Sequence, residues 1–350
     1  MKNPRYFNLL VPILSVIFGL IVGGLIMLAG GYNPFSAYAA LFEGAVGSPY
    51  YIGETIRQFT PLIFTGLAVA FAFRTGLFNI GVEGQFIVGW FASVYVGLTI
   101  DAPMFIHLPL ALLAAAVAGA LWGFIPGLLK ARLKVHEVIV TIMMNYIALH
   151  VTNEIIRAYL KASSGERTEE IQSTASLAAP FFRQLTDHSR VHYGIIVALL
   201  AAFVMWFILR KTTLGYELRS VGFNPHASQY AGMSVSRNII LSMTISGAFG
   251  GLAGAMAGLG TYQYMTINTA GFIGLGFTGI AVALLGANTA VGTILAAILF
   301  GGLKVGASNM QFQAGVPPEV IKIVMAMIIF FVGASYLIRW ILNRFRKGES

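Results

Sequence analysis

Three polar side chains stand at the start of an apolar stretch in the string GLFNIGVEGQFIVG, Gly76 to Gly89: Asn79, Glu83 and Gln85. A carboxylate exposed to lipid is strongly unfavourable, so Glu83 is expected to face the protein interior. Two roles fit it: a position near a solute pathway, or a structural contact with Arg74 or with a helix N-terminus, whose partial positive charge stabilises a carboxylate. A catalytic acid is not expected.

A second polar set lies inside the apolar stretch 137 to 158, where Asn145 and Tyr146 are followed by His150 and Asn153 at near-helical spacing. Amide and phenol groups can hydrogen-bond a neutral polar solute, and they also hold membrane helices together. Both roles stay open. The candidate pathway residues are therefore Asn79, Glu83, Gln85, Asn145 and Tyr146.

Aromatic rings that could stack on a planar solute occur at Phe71, Phe73, Phe78, Tyr262 and Tyr264. Phenylalanine in a membrane helix more often packs against protein or contacts lipid. The sequence therefore leaves a solute contact as the less favoured interpretation of each ring.

The motifs of hydrolytic enzymes are missing. There is no GxxxxGK[ST], HExxH or GxSxG string, so the chain is not expected to hydrolyse ATP or to be an enzyme. The cysteine count is 0, which excludes thiol catalysis and thiolate metal sites, and the 6 histidines lack ligand spacing. No metal or cofactor is expected on this chain.

The composition predicts an all-α, polytopic transmembrane helical bundle. Hydrophobic residues make up 57% of the chain and charged residues 10%, against about 25% charged in soluble domains. The 40 glycines suit close helix packing in lipid. Basic loops on the cytoplasmic side explain the pI near 9.8, so nucleic acid is not an expected partner.

Apolar runs predict about ten spans, with residues 1–350 forming a single transmembrane domain. Lys2 and Arg5 precede a first run that is too long for a signal peptide, so it is predicted to be a retained helix. The distribution of Lys and Arg predicts that both termini are cytoplasmic. The predicted spans are 8–30, 59–74, 77–100, 106–129, 137–158, 192–210, 239–260, 272–287, 291–307 and 319–342. The two short ones, 59–74 and 272–287, are candidates for broken or re-entrant helices.

Two connections exceed a tight turn: an extracellular loop at about 159–191 and a cytoplasmic loop at about 211–238. In the cytoplasmic loop, Gly222 is expected to end one short helix, and Asn224 to cap a second that Pro225 begins. Such an element either docks into a groove of a soluble partner or lies on the lipid headgroups.

The chain also contains an internal echo. FTGLAVAF at 64–71 and FTGIAVAL at 277–284 agree at 6 of 8 positions, and both are predicted to run inward. Repeated halves are common in transporters, whereas chance similarity between Gly- and Ala-rich helices is the alternative.

Two strings give the chain a specific resemblance. TTLGYELRSVGFNPHASQYAGMSV, Thr212 to Val235, and GLFNIGVEGQFIVG resemble the coupling segment and the signature of permease subunits of ATP-binding-cassette (ABC) importers, in the branch serving branched-chain amino acids, sugars and nucleosides. With VHEVIVTIMMNYIA, Val135 to Ala148, the chain looks most like nucleoside permeases that work with a basic-membrane-lipoprotein type of binding protein.

The resemblance implies a bacterial plasma-membrane importer of nucleosides, purine nucleosides such as guanosine foremost. It implies a cytoplasmic subunit that carries the ATP, a second permease subunit, an extracellular lipoprotein receptor and surrounding membrane lipid as partners. It also implies coupling to the ATPase through Gly215, Tyr216, Glu217, Arg219, Asn224, Pro225, Ala227 and Gly232. The alternatives are an ion-coupled secondary transporter and an ABC permease for ribose-like sugars.

Overall fold

The computed structural model describes residues 4–163, 165–269 and 271–334, with side chains from residue 12 onward. Both chain ends, and the predicted end of the last span at 342, lie outside the described residues. The described part contains fourteen α-helices and isolated β-bridges, but no strand. The helices are α1 Pro4–Ala29, α2 Pro34–Val46, α3 Pro49–Arg74, α4 Val82–Thr99, α5 Met104–Leu133, α6 Glu137–Ile155, α7 Pro180–Leu185, α8 Gly194–Lys211, α9 Thr213–Phe223, α10 Pro225–Tyr230, α11 Val235–Ala255, α12 Leu275–Leu285, α13 Ala290–Ala314 and α14 Pro318–Gly333.

Seven of the described helices are long and apolar enough to cross a membrane. The first is the part of α1 from Pro12 to Ala29. The other six are α3, α5, α6 with its π-helical extension to Leu160, α8, α11 with its π-helical extension to Thr261, and α13. The other three predicted spans coincide with α4, α12 and α14, which are not among these seven. A polytopic helical bundle is therefore confirmed, and the count of ten stays a prediction.

Two helices, α2 and α3, differ from the sequence expectation in more than the exact position of an end. The span predicted at 59–74 is the second part of α3, a continuous 26-residue helix that starts at Pro49. Glu54 and Arg57 lower the hydropathy of its first part, but they form a buried ion pair at 2.7 Å. Helix α2 was not predicted either; Asn33 caps it and Pro34 begins it.

Helix α3 lies at the centre of the bundle, and most of its side chains are buried. It packs against α8, α11, α12 and α13. The most extensive helix pair is α5 with α11, where Gly119 and Gly123 face Gly247. Glycines permit this contact because no side chain separates the two backbones.

The two echoed segments pack directly against each other. A β-carbon added at Gly66 would lie 2.7 Å from Val282, and one added at Gly279 would lie 2.6 Å from Thr65. Gly66 and Gly279 occupy the same position in the two segments, and both lie where α3 and α12 approach closely. The Thr-Gly dipeptide that the segments share therefore has a packing role.

Candidate translocation pathway and coupling elbow

Glu83 is fully buried in the first turn of α4 and binds the start of another helix. The N–H of Gly274 donates to its Oε1 at 2.8 Å, and the N–H of Gly276 donates to its Oε2 at 2.5 Å. These donors belong to the first turn of α12, where backbone N–H groups have no partner within the helix. Glu83 therefore joins the starts of α4 and α12, and no contact to Arg74 is observed.

Asn79 and Gln85 form a buried amide pair beside Glu83. The Nδ2 of Asn79 donates to Gln85 Oε1 at 3.1 Å and to Ser246 Oγ at 2.8 Å. Ser246 donates in turn to the carbonyl of Ala68 at 2.6 Å. The network ties the loop before α4 to α3 and α11, so both amides are satisfied by protein.

On α6 the predicted residues separate into two faces. Asn145 is buried, accepting from Gly84 N–H at 2.7 Å and donating to the Ile80 carbonyl at 3.0 Å. Asn153 exchanges two hydrogen bonds with the backbone of Asn268. Tyr146 is exposed and so is His150. Tyr146 is therefore the one of the five pathway candidates whose side chain is open to a solute.

The aromatic rings singled out in the sequence all have protein partners. Phe71 packs on Phe249 with ring centroids 6.0 Å apart. Phe73 packs on Phe78 at 5.1 Å, Tyr262 stacks on Trp90 at 5.3 Å, and Arg167 lies over the ring of Tyr264. Packing accounts for these five positions.

The predicted cytoplasmic loop forms an elbow, the name used here for α9 and α10 with the joint at Asn224. Asn224 Oδ1 accepts the N–H of Ala227 at 3.0 Å, and Pro225 occupies the first position of α10, which confirms the predicted cap. Helix α9 continues to Phe223, one residue past Gly222, where it was predicted to end. Gly232 has a positive φ of 84° and ends the turn after α10.

The outward side of the elbow is rich in exposed aromatic rings that sequence reasoning missed, apart from Tyr216. Phe223 is 91% exposed, Tyr230 95% and Tyr216 59%. Asn224, Pro225, Ala227 and Gly232 are exposed beside them. Exposed large apolar side chains clustered in this way mark an interaction surface.

The inward side of the elbow is locked to the bundle. Gly215 contacts the backbone of Ile208 at the end of α8, and Arg219 Nε donates to the Gly215 carbonyl at 3.1 Å. Glu217 accepts from Asn238 Nδ2 of α11 at 2.9 Å. Gly222 approaches so closely that an added β-carbon would lie 2.5 Å from the carbonyl oxygen of Arg74, the last residue of α3. The elbow thus contacts α3, α8 and α11.

At the opposite end of α3, an ionic cluster holds the predicted extracellular loop. Glu54 accepts from Arg57 at 2.8 Å and from the backbone N–H of Arg190 at 2.9 Å. The side chain of Arg190 also binds Glu54, which raises the pKa of that guanidinium. Nearby, burial and the charge of Arg57 lower the pKa of His192 to about 4. The loop is therefore anchored to the helix that reaches the elbow.

No group of three or more potential metal-ligating side chains occurs in the described part of the chain.

Comparison with known proteins identifies the family. A model described as the permease component of branched-chain amino acid transport systems matches residues 51–333. The chain belongs to this family. It is a transport component rather than an enzyme, and a multi-pass protein of the cell membrane; its family implies an ATP-binding subunit and a substrate-binding protein as partners.

Similar proteins extend over nearly the whole permease. A guanosine ABC transporter permease, NupP of Bacillus subtilis, is 63% identical over 98% of both chains. A nucleoside ABC transporter permease, NupB of Lactococcus lactis, is 42% identical over 98% of this chain and 95% of its own. A glucose ABC transporter permease, TsgB13 of Haloferax volcanii, is 33% identical over 96% of this chain and 89% of its own. No solved structure matches the permease.

Proposed function

We propose that this permease imports nucleosides, guanosine among them, through an ABC transporter. The observation that carries the proposal is the 63% identity to the Bacillus subtilis guanosine permease over 98% of both chains. The fold supports it, since the permease has a helical bundle and an elbow with an exposed aromatic surface.

The elbow is the proposed contact with the ATP-binding subunit, and ATP binds to that subunit rather than to the permease. Its outward residues, Tyr216, Asn224, Pro225, Ala227 and Gly232, meet the partner's groove together with Phe223 and Tyr230. Two of its inward residues, Gly215 and Glu217, hold the elbow on the bundle, and Arg219 hydrogen-bonds Gly215 within α9. Closure of the ATPase would then move α3, α8 and α11 together and expose the pathway alternately to each side.

The proposed pathway lies along the exposed face of α6, which carries Tyr146. Four buried residues support this pathway without lining it, because they fix the starts of α4 and α12: Asn79, Glu83, Gln85 and Asn145. A second permease subunit completes the enclosure, because one bundle with an open polar face cannot surround a solute by itself. The same proposal includes ten spans, cytoplasmic termini and an extracellular lipoprotein receptor that docks over the loop at 159–191.

Uptake of radiolabelled guanosine by cells with and without the gene tests the function. Gene-dependent uptake that stops on ATP depletion, and that a protonophore leaves unchanged at constant ATP, is the expected result. Uptake that follows the proton gradient would instead indicate an ion-coupled transporter.

Competition separates the remaining substrate classes. Unlabelled inosine or guanosine is expected to compete, and ribose and glucose are not. Gene-dependent uptake of glucose or ribose without guanosine would keep the importer and replace its substrate by a sugar, as in the Haloferax relative.

A further inference from the structure

Three aromatic rings from distant parts of the chain meet at the start of α12. Tyr146 of α6 and Phe272 have ring centroids 4.9 Å apart at an interplanar angle of 66°. Phe272 and Phe277 follow at 5.7 Å and 78°. Edge-to-face contacts leave ring faces uncovered, and Tyr146 is 48% exposed and Phe277 39%. The cluster therefore presents open aromatic faces.

The position of this cluster argues against a lipid-facing role. Tyr146 lies nine residues into α6, about 13 Å along the helix from its start, which is near the middle of a bilayer. Phe272 lies in a non-helical segment that ends at Gly274, and residues 271–274 are partly exposed. Non-helical backbone at membrane depth occurs where it is buried in protein or lines a water-filled cavity. Partial exposure here favours the cavity.

The exposed face of α6 gives independent support. His150, Glu154 and Arg157 follow Tyr146 at helical spacing on the same side, and all are exposed. Glu154 and Arg157 pair at 2.7 Å. Ionisable groups within a membrane face a polar cavity or a protein neighbour rather than lipid. The face of α6 that carries the Tyr146 ring thus belongs to an aqueous route.

A hydrogen-bonding side chain lies close to the cluster along α6. His150 follows Tyr146 by four residues, one helical turn, on the same exposed side of the helix. Its imidazole can hydrogen-bond the edge of a heterocycle.

We propose that Tyr146, Phe272 and Phe277 form a stacking site for the base of the nucleoside on its way through the permease. The site rests on the proposed function and adds to it the part of the substrate that is recognised. A base offers two π-faces to open aromatic rings, and stacking tolerates different bases. Glu83 is a positioning residue for this site, because it holds the turn that carries Phe272 and Phe277.

Cysteine accessibility tests the site directly, because the chain contains 0 cysteines and needs no prior mutation. Tyr146→Cys and Phe277→Cys are made in the assembled transporter and treated with a charged thiosulfonate, which reacts with thiolates in water. Both are expected to react, and guanosine should slow the reaction whereas ribose should not. The control is Leu121→Cys, which lies in an exposed, wholly apolar stripe of α5 with Leu113 and Val117 and is expected to stay unlabelled.

Initial rates of uptake at low guanosine concentration give the second readout. Tyr146→Leu and Phe277→Leu are expected to reduce the rate about 5-fold or more, the effect of losing one base-stacking contact. Tyr146→Phe and Phe277→Tyr keep the rings and should stay within about 2-fold of wild type. Phe124→Leu, an equally exposed ring in the apolar stripe of α5, is the matched control.

The outcomes separate the two claims. A wild-type transporter that imports no guanosine overturns the proposed function. The stacking site alone is overturned if both leucine variants import guanosine normally. It is also overturned if Tyr146→Cys is labelled no faster than Leu121→Cys, or if guanosine does not affect its labelling. If the leucine variants do not reach the membrane, protection of the cysteine variants by guanosine decides.

Discussion

Replacing Glu83 by alanine removes both acceptors that hold the start of α12. The N–H groups of Gly274 and Gly276 then lose partners at 2.8 and 2.5 Å, in a site where Glu83 is 0% exposed. Each unsatisfied buried donor costs about 1–3 kcal/mol, so the expected loss of stability is about 2–6 kcal/mol, before any cost of the cavity. Glu83→Gln keeps one acceptor oxygen and should lose about half as much.

Thermal unfolding of the purified permease in detergent, followed by the fluorescence of its 4 tryptophans, measures the loss of stability. The unfolding temperature is expected to be highest for wild type, lower for Glu83→Gln and lowest for Glu83→Ala. Guanosine uptake should fall in the same order, because the turn also positions Phe272 and Phe277. A Glu83→Ala permease as stable as wild type would refute the structural role given to this carboxylate. A loss of uptake at unchanged stability would place Glu83 in contact with the solute.

Three further predictions concern the elbow, the outer loop and α6. Phe223→Ser is expected to weaken binding of the ATP-binding subunit by about 10- to 150-fold, since burying a phenylalanine contributes about 1.5–3 kcal/mol; a pull-down titration measures this, and unchanged affinity would place the ring on lipid instead. The pKa of His192 is lowered to about 4 from 6.5 in the unfolded chain, so stability should be lost as pH falls from 6.5 towards 4, by up to about 3 kcal/mol. His192→Gln should flatten that loss in unfolding scans at about pH 7.5 and 4.5, and an equally steep loss in the variant contradicts the assignment. Asn145→Leu is expected to lower the unfolding temperature by leaving the buried N–H of Gly84 and the part-buried carbonyl of Ile80 unpaired, at up to about 1–3 kcal/mol each; altered solute preference in a fully stable variant would return Asn145 to the pathway.

Much of the elbow could be predicted from local sequence. The cap at Asn224 and the start at Pro225 depend on neighbouring residues alone, and both are observed. The division of its residues between two surfaces could not be predicted. Gly215 and Glu217 have the same local character as the exposed tip, and only their contacts with α8 and α11 show that they face the bundle.

The length of α3 shows where hydropathy fails. Its first part contains Glu54 and Arg57, and a window average treats these as charges that need water. In the folded chain they pair with each other, and Glu54 also binds Arg190, which lies 136 positions further along the sequence. A pairing over that distance leaves no signal in the local hydropathy.

The sequence by itself determined that this is a membrane-spanning helical protein, because long apolar runs without water must satisfy their own backbone hydrogen bonds. Its strings also determined the family. The tertiary structure alone decided which polar residues are buried against protein and which are exposed. Asn145 and Tyr146 are adjacent, yet a helix turns about 100° per residue, so one is buried against the start of α4 and the other is open. Likewise, Glu83 meets Gly274 only because folding brings together two helix starts that lie 191 positions apart.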